Sequence, residues 1–179
     1  MVAWQRTGAL VGVFVLSTLI TASGVGTAYW LEVQFLPRTP SLGALVLVGL
    51  VEEGFVRLAP LVVTFYLWSY YRGRLLSKTE GLLATIGSGV TVGGLELVLK
   101  LQYLDRIERI AHFDALVLPI VFVHLPLALL AGRFAYALGE RIHGNEDIGL
   151  PRLSRRTLGY LVVGYLLLAG VHVAYNALV

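Results

Sequence analysis

Residues 50–60 read LVEEGFVRLAP, which sets Glu52, Glu53 and Arg57 inside a run that is otherwise apolar from residue 42 to residue 68. An ionisable side chain at membrane depth is costly to keep, faces the protein interior or a water-filled cavity, and by default marks a working site. On a helix Glu53 and Arg57 stand four apart and share a face, so they can neutralise each other. Glu52 is rotated about 100° from Glu53, which leaves it as the free carboxylate. The plainer reading of the same residues is a buried structural ion pair with a spectator glutamate.

The rest of the chain supplies a membrane around this stretch. Of its 179 residues 57% are hydrophobic and 14% are charged, against about 25% charged in a soluble domain, and the mean hydropathy is +0.78. The composition therefore predicts an all-α, polytopic transmembrane helix bundle forming one integral-membrane domain over residues 1–179. Cysteine is absent, which removes disulfides, thiolate metal sites and cysteine nucleophiles together. The first apolar run extends beyond twenty residues without an Ala-x-Ala-like cleavage site, so it reads as a retained span. The net charge of +3 sits in loops, where it reports topology and contact with anionic headgroups. No base-stacking motif accompanies it, and nucleic acid is not an expected partner.

Five apolar segments are long enough for the hydrocarbon core, which takes about 20 helical residues. They fall near residues 8–30, 41–71, 81–103, 113–138 and 157–178. The second is long enough to require a tilt, a projection or a bend at Pro60, whose missing amide leaves the Val56 carbonyl without its helical partner. The third carries Gly89 and Gly93 at a small-x-x-x-small spacing that permits close helix contact, and is expected at the centre of the bundle. Gly8 and Gly12 repeat the spacing in the first span. With no charge between Arg6 and Glu32, that span reads as peripheral to any chemistry.

Basic residues set the orientation. Arg6, Arg72, Arg74, Lys78, Arg133, Arg141, Arg152, Arg155 and Arg156 belong to one side, and Arg38, Lys100, Arg106 and Arg109 to the other. The excess predicts a cell-membrane protein with its N-terminus in the cytoplasm and its C-terminus outside. In the loop over residues 139–156, His143, Glu146 and Asp147 read as solvated loop residues.

Further polar residues recur at membrane depth, one set per span: Glu96 in VGGLELVLK, His124 in IVFVHLPLALLAG, and His172 with Asn176 in GVHVAYNALV. At ~1.5 Å per helical residue from the outer boundary, Glu52 lies ~16 Å in, Glu96 ~10 Å, His124 ~17 Å and His172 ~10 Å. Groups that meet around one substrate bond must agree in depth, whereas unrelated structural charges need not. Each residue also has a plain reading: Glu96 as a helix-end pair with Lys100, His124 as a core histidine, and Asn176 as interhelical glue.

Taken together, Glu52, Glu53 and Arg57 resemble the Glu-Glu-x-x-x-Arg motif of the CPBP superfamily, the type II CAAX prenyl proteases and their bacterial relatives. His172 and Asn176 resemble its closing His-x-x-x-Asn. Glu96 after Gly93, with His124 ahead of a small-residue segment, is similar to the related PrsW intramembrane proteases, which carry a glutamate where the CAAX proteases carry a histidine. The resemblance runs from about Ala44 to Ala177 and implies a four-helix catalytic core plus one N-terminal span. It also implies proteolysis of a membrane-embedded or lipid-anchored peptide within the bilayer.

A desolvated carboxylate is suited to act first as base and then as acid, and Glu52, facing away from Arg57, is the candidate to activate a water. His124 is the candidate to orient that water, and His172 with Asn176 to donate hydrogen bonds to the oxyanion. Two histidines and a glutamate also form the ligand set of many zinc peptidases. Glu96, His124 and His172 are therefore an alternative Zn site, although the chain contains no His-Glu-x-x-His. Two other classes use similar residues: a catalytically inactive scaffold or immunity-type relative, and a proton-coupled transporter lining its cavity with glutamates and histidines.

Overall fold

Hydrocarbon offers no partner to a backbone N–H or C=O, so a chain of this composition must satisfy them within helices. The computed structural model describes residues 3–35, 41–103, 113–143 and 154–178, and they are helical with no strand among them. The helices are α1 (Ala3–Phe35), α2 (Leu42–Glu52), α3 (Ala59–Arg72), α4 (Lys78–Tyr103), α5 (Phe113–Pro119), α6 (Leu125–His143) and α7 (Arg155–Leu178). Two π turns, Glu53–Leu58 and Ile120–His124, join α2 to α3 and α5 to α6 without a break. Five helical segments result, close to those expected. Four contain stretches long and apolar enough to cross a membrane: Arg6–Phe35, Lys78–Gln102, Leu116–Glu140 and Arg155–Tyr175. The fifth is α2 and α3 with their charged π turn.

Their faces are arranged for lipid outside and small or polar side chains inside. On α1, Val11, Val15 and Leu19 are exposed at a spacing of four, whereas Val13, Ser17 and Thr21 are fully buried. Ser17 Oγ donates to the Ala84 carbonyl at 2.6 Å and Thr21 Oγ1 bonds Ser88 Oγ at 3.0 Å, so α1 and α4 lie side by side. Apolar burial contributes little where the alternative is lipid, and such close contacts and hydrogen bonds hold the helices together.

The second segment, and not the third, occupies the centre. α3 packs on α1, α4 and α6, α2 packs on α7 and α1, and the Glu53–Leu58 turn touches α1, α4, α6 and α7. α4 serves instead as a wall between α1 and α6. Its Gly89 faces Ala128 and the His124 carbonyl, and its Gly93 faces Ile120, so the small-residue spacing works as expected. In the first span the spacing is only half used: Gly12 lies against the Trp68 ring, and nothing approaches Gly8.

The two π turns share one cause. Pro60 and Pro126 each stand two residues past a π turn, and in each case the residue before the proline donates to a carbonyl five residues back, Ala59 to Gly54 and Leu125 to Ile120. A proline in a helix lacks an N–H and its ring collides with the carbonyl four residues earlier. One inserted residue per turn moves that carbonyl aside. The expected bend at Pro60 is thus resolved upstream as a change of helical register. The Phe55 carbonyl is turned against Gly24 of α1, where any side chain would overlap it.

At the opposite end of α3 the chain turns at Gly73, whose φ of 60° favours glycine. It enters α4 through a capping box: Ser77 Oγ accepts from Glu80 N at 3.3 Å, and Glu80 Oε2 accepts from Ser77 N at 2.7 Å. Glu80 also takes Arg74 at 2.7 and 2.8 Å and Trp68 Nε1 at 3.2 Å.

Docking of α1 on the π turn is testable at Gly24. A Cβ there would overlap the Phe55 carbonyl oxygen and sit 2.9 Å from Pro60 Cγ, whereas Gly26 has nothing within 4 Å. Gly24→Ala is expected to lower detergent stability by about 1–3 kcal/mol, and Gly26→Ala to leave it unchanged or higher. Equal melting temperatures for the two variants would contradict this packing.

Candidate functional site

The two π turns carry three of the residues singled out in the sequence, Glu53 and Arg57 in one and His124 in the other. π turns are frequent at functional sites, and the extra residue re-aims side chains that a regular helix would point elsewhere. Here both turn their polar residues toward one another across the bundle.

Arg57 is the hub. Its side chain and that of Glu53 are fully buried, and Nη1 pairs with Glu53 Oε1. Nη1 also lies 3.2 Å from His172 Nδ1, and Nη2 lies 2.6 Å from His124 Nδ1. On the far side of His124, Nε2 is 2.5 Å from Glu96 Oε2, and Glu96 Oε1 is 2.5 Å from Lys100 Nζ. On the far side of His172, Nε2 is 2.9 Å from Glu52 Oε2 at an angle poor for a hydrogen bond, while Nδ1 is 2.5 Å from Glu53 Oε1. A continuous polar chain thus runs Glu52, His172, Glu53, Arg57, His124, Glu96, Lys100 through four helical segments.

Donor and acceptor roles follow from the partners. Arg57 can only donate, so His124 Nδ1 accepts and Nε2–H donates to Glu96. His172 Nδ1 lies between the Arg57 guanidinium and Glu53 Oε1, and its Nε2 faces Glu52. Glu52 and Glu53, expected to point apart, meet again on either side of this imidazole. Glu52 keeps the freer position: its side chain is 30% exposed where that of Glu53 is 0%.

A cavity of about 110 Å³ adjoins the chain, lined in its polar part by Glu32, Glu52, Arg57, Glu96, His124 and His172. Its volume has room for several waters. Glu53 stands behind Arg57 and is not part of the lining. Asn176 belongs to α7, but its side chain lies outside the described residues. So do the side chain of His143 and all of Glu146 and Asp147.

Two expectations change. The first span is not peripheral, since Val25, Ala28, Tyr29 and Glu32 form one wall of the cavity, and a buried oxygen of Glu32 has no partner among the described residues. Glu32 carries no such signal in the sequence because it stands at the end of its span, where a charge ordinarily reaches water. The zinc alternative does not fit the geometry. The Arg57 guanidinium takes Nδ1 of both His124 and His172, and their Nε2 atoms face different carboxylates, Glu96 and Glu52, so Glu96, His124 and His172 do not converge on one point. No group of three or more such ligands converges among the described residues.

The ion pair makes a stability prediction. Removing one partner of a buried pair leaves an uncompensated charge and costs about 3–5 kcal/mol, so Arg57→Ala is expected to lose folded protein in detergent. Arg57→Lys cannot reach Glu53, His124 and His172 together and should rescue little of it. Lys100, 43% exposed, should tolerate alanine. Wild-type melting of Arg57→Ala would show that the network carries no stability.

No protein-family model, curated protein or solved structure matches this chain.

Proposed function

We propose that the chain is an intramembrane peptidase of the CPBP and PrsW type, in which Glu52 activates a water to hydrolyse a membrane-embedded or juxtamembrane peptide bond. The observation that carries this reading is the contrast between the adjacent glutamates. Glu53 is fully buried and paired with Arg57, while the Glu52 side chain is part-exposed and lines the cavity. A general base needs to be held in place and yet reach the water it deprotonates. The Glu52 carboxylate lies 2.9 Å from His172 Nε2, and the cavity gives it room for water.

In this reading Glu52 takes a proton from water as oxygen attacks the carbonyl carbon, then returns it to the leaving amine as the C–N bond breaks. His172, whose Nε2 makes no well-aligned hydrogen bond to Glu52, is the candidate oxyanion donor, and Asn176, one turn beyond it, is the candidate second donor. Glu96 holds the His124 tautomer. The substrate enters from the bilayer as a helix end or unwound segment of a membrane protein or lipid-anchored peptide. With the basic ends of α3, α4 and α7 in the cytoplasm, the site lies in the outer half of the membrane.

A second reading has an observation in its favour. Both ring nitrogens of His124 and of His172 already have partners, as befits a scaffold whose network only holds helices together. The two differ in what Glu52 does. Glu52→Gln preserves shape and removes basicity, so a peptidase should lose about 10²–10⁴-fold in rate with unchanged melting. The check is to reconstitute wild-type and variant protein with a solubilised membrane-protein fraction and identify newly formed peptide termini by mass spectrometry. Termini formed by wild-type protein and absent with Glu52→Gln support the peptidase; identical profiles support the scaffold.

A further inference from the structure

A second cavity lies outside the site, between α3, α4 and α6 near the basic end of the bundle. We propose that it binds an anionic phospholipid from the leaflet on that side, the phosphate held by Lys78 and Arg133 and an acyl chain laid over Leu82 and Leu129. The cavity measures about 280 Å³, and Phe65 and Tyr136 complete its wall.

The antiparallel register of α4 and α6 fixes its geometry. Gly81 faces Tyr136, Thr85 faces Gly132 and Gly89 faces Ala128, so Arg133 stands level with Ala84, six residues or ~9 Å further into the span than Lys78. An arginine at that depth has to reach back toward the headgroups, and its stem covers apolar surface as it does so. Both cations then converge on the plane where lipid phosphates lie. Gly132 is essential to the shape: a Cβ there would come 2.8 Å from Thr85 Cγ2, so only glycine lets the two helices close beneath the groove.

Charge supplies the choice of occupant. Lys78 and Arg133 are exposed and have no ion-pair partner among the described residues. The adjacent acid, Glu80, is already taken by Arg74, Trp68 and Ser77. Two cations without an acidic partner among the described residues thus end a groove whose apolar flank, Leu82 at 50% and Leu129 at 42% exposure, faces the bilayer. A cationic pair over an exposed apolar groove complements a phosphodiester attached to a hydrocarbon chain and complements neither alone. Tyr136 is fixed at the floor by donating to the Leu76 carbonyl at 3.3 Å.

The test is lipid binding by native mass spectrometry of the full chain in detergent, titrated with phosphatidylglycerol, phosphatidylcholine and inorganic phosphate. Wild-type protein is expected to retain phosphatidylglycerol in preference to phosphatidylcholine. The K78Q/R133Q double variant should bind phosphatidylglycerol roughly thirtyfold more weakly, as expected for two basic contacts near a membrane surface. Leu129→Trp fills the groove and leaves both cations in place, and it too should weaken the lipid. Equal binding of the two lipids by wild-type protein, or undiminished phosphatidylglycerol binding in both variants, would overturn the proposal. Displacement of the lipid by millimolar inorganic phosphate would reduce it to a simple anion site and overturn it as well.

Discussion

A guanidinium removed from water at membrane depth is tolerated only where its charge is matched and its protons are taken up. Arg57 meets that condition at its two terminal nitrogens through Glu53, His124 and His172, which come from three helical segments, while its Nε has no partner among the described residues. The demand of one buried cation therefore decides how these segments are rotated and which residues face inward. It also explains why the second segment stands at the centre and not at the rim. The same residue separates a sealed glutamate, Glu53, from one that lines the cavity, Glu52, the distinction on which the proposed reaction rests.

The prolines make that arrangement geometrically possible. Regular helices through Pro60 and Pro126 would drive each ring into the preceding turn, and the π turns that relieve this also rotate Glu53, Arg57 and His124 toward one another. Backbone strain relief and site assembly are here one structural event. The bundle is held around it by polar and close contacts such as Ser17 on Ala84, Thr21 on Ser88, and Tyr165, whose hydroxyl donates to the Leu50 carbonyl at 2.7 Å.

Much of this was legible in the sequence because hydrocarbon filters residue types so strictly. A glutamate or histidine in the middle of an apolar run has few acceptable places to go, so Glu52, Glu53, Glu96, His124 and His172 could be picked out singly and grouped by depth. What could not be read was relative rotation. A regular helix puts Glu52 and Glu53 on different faces, and the register change that brings both to His172 has no signature in the sequence beyond a proline two residues past the turn. Depth is uninformative at a helix end, so the sequence does not single out Glu32. The central position of the second segment follows from the hydrogen-bonding needs of Arg57, whereas glycine spacing, which suggested the third, reports closeness of contact but not which helix is surrounded.

The most direct measurement is a double-mutant cycle on Glu53 and Arg57, with unfolding followed in detergent for Glu53→Gln, Arg57→Met and the pair. If Arg57 is stable only as a matched buried charge, the double variant should be more stable than Arg57→Met alone, with a coupling energy of about 2–3 kcal/mol. Additive losses, with the double variant the least stable of the set, would show that the two residues act independently and that the bundle is not built around their pairing.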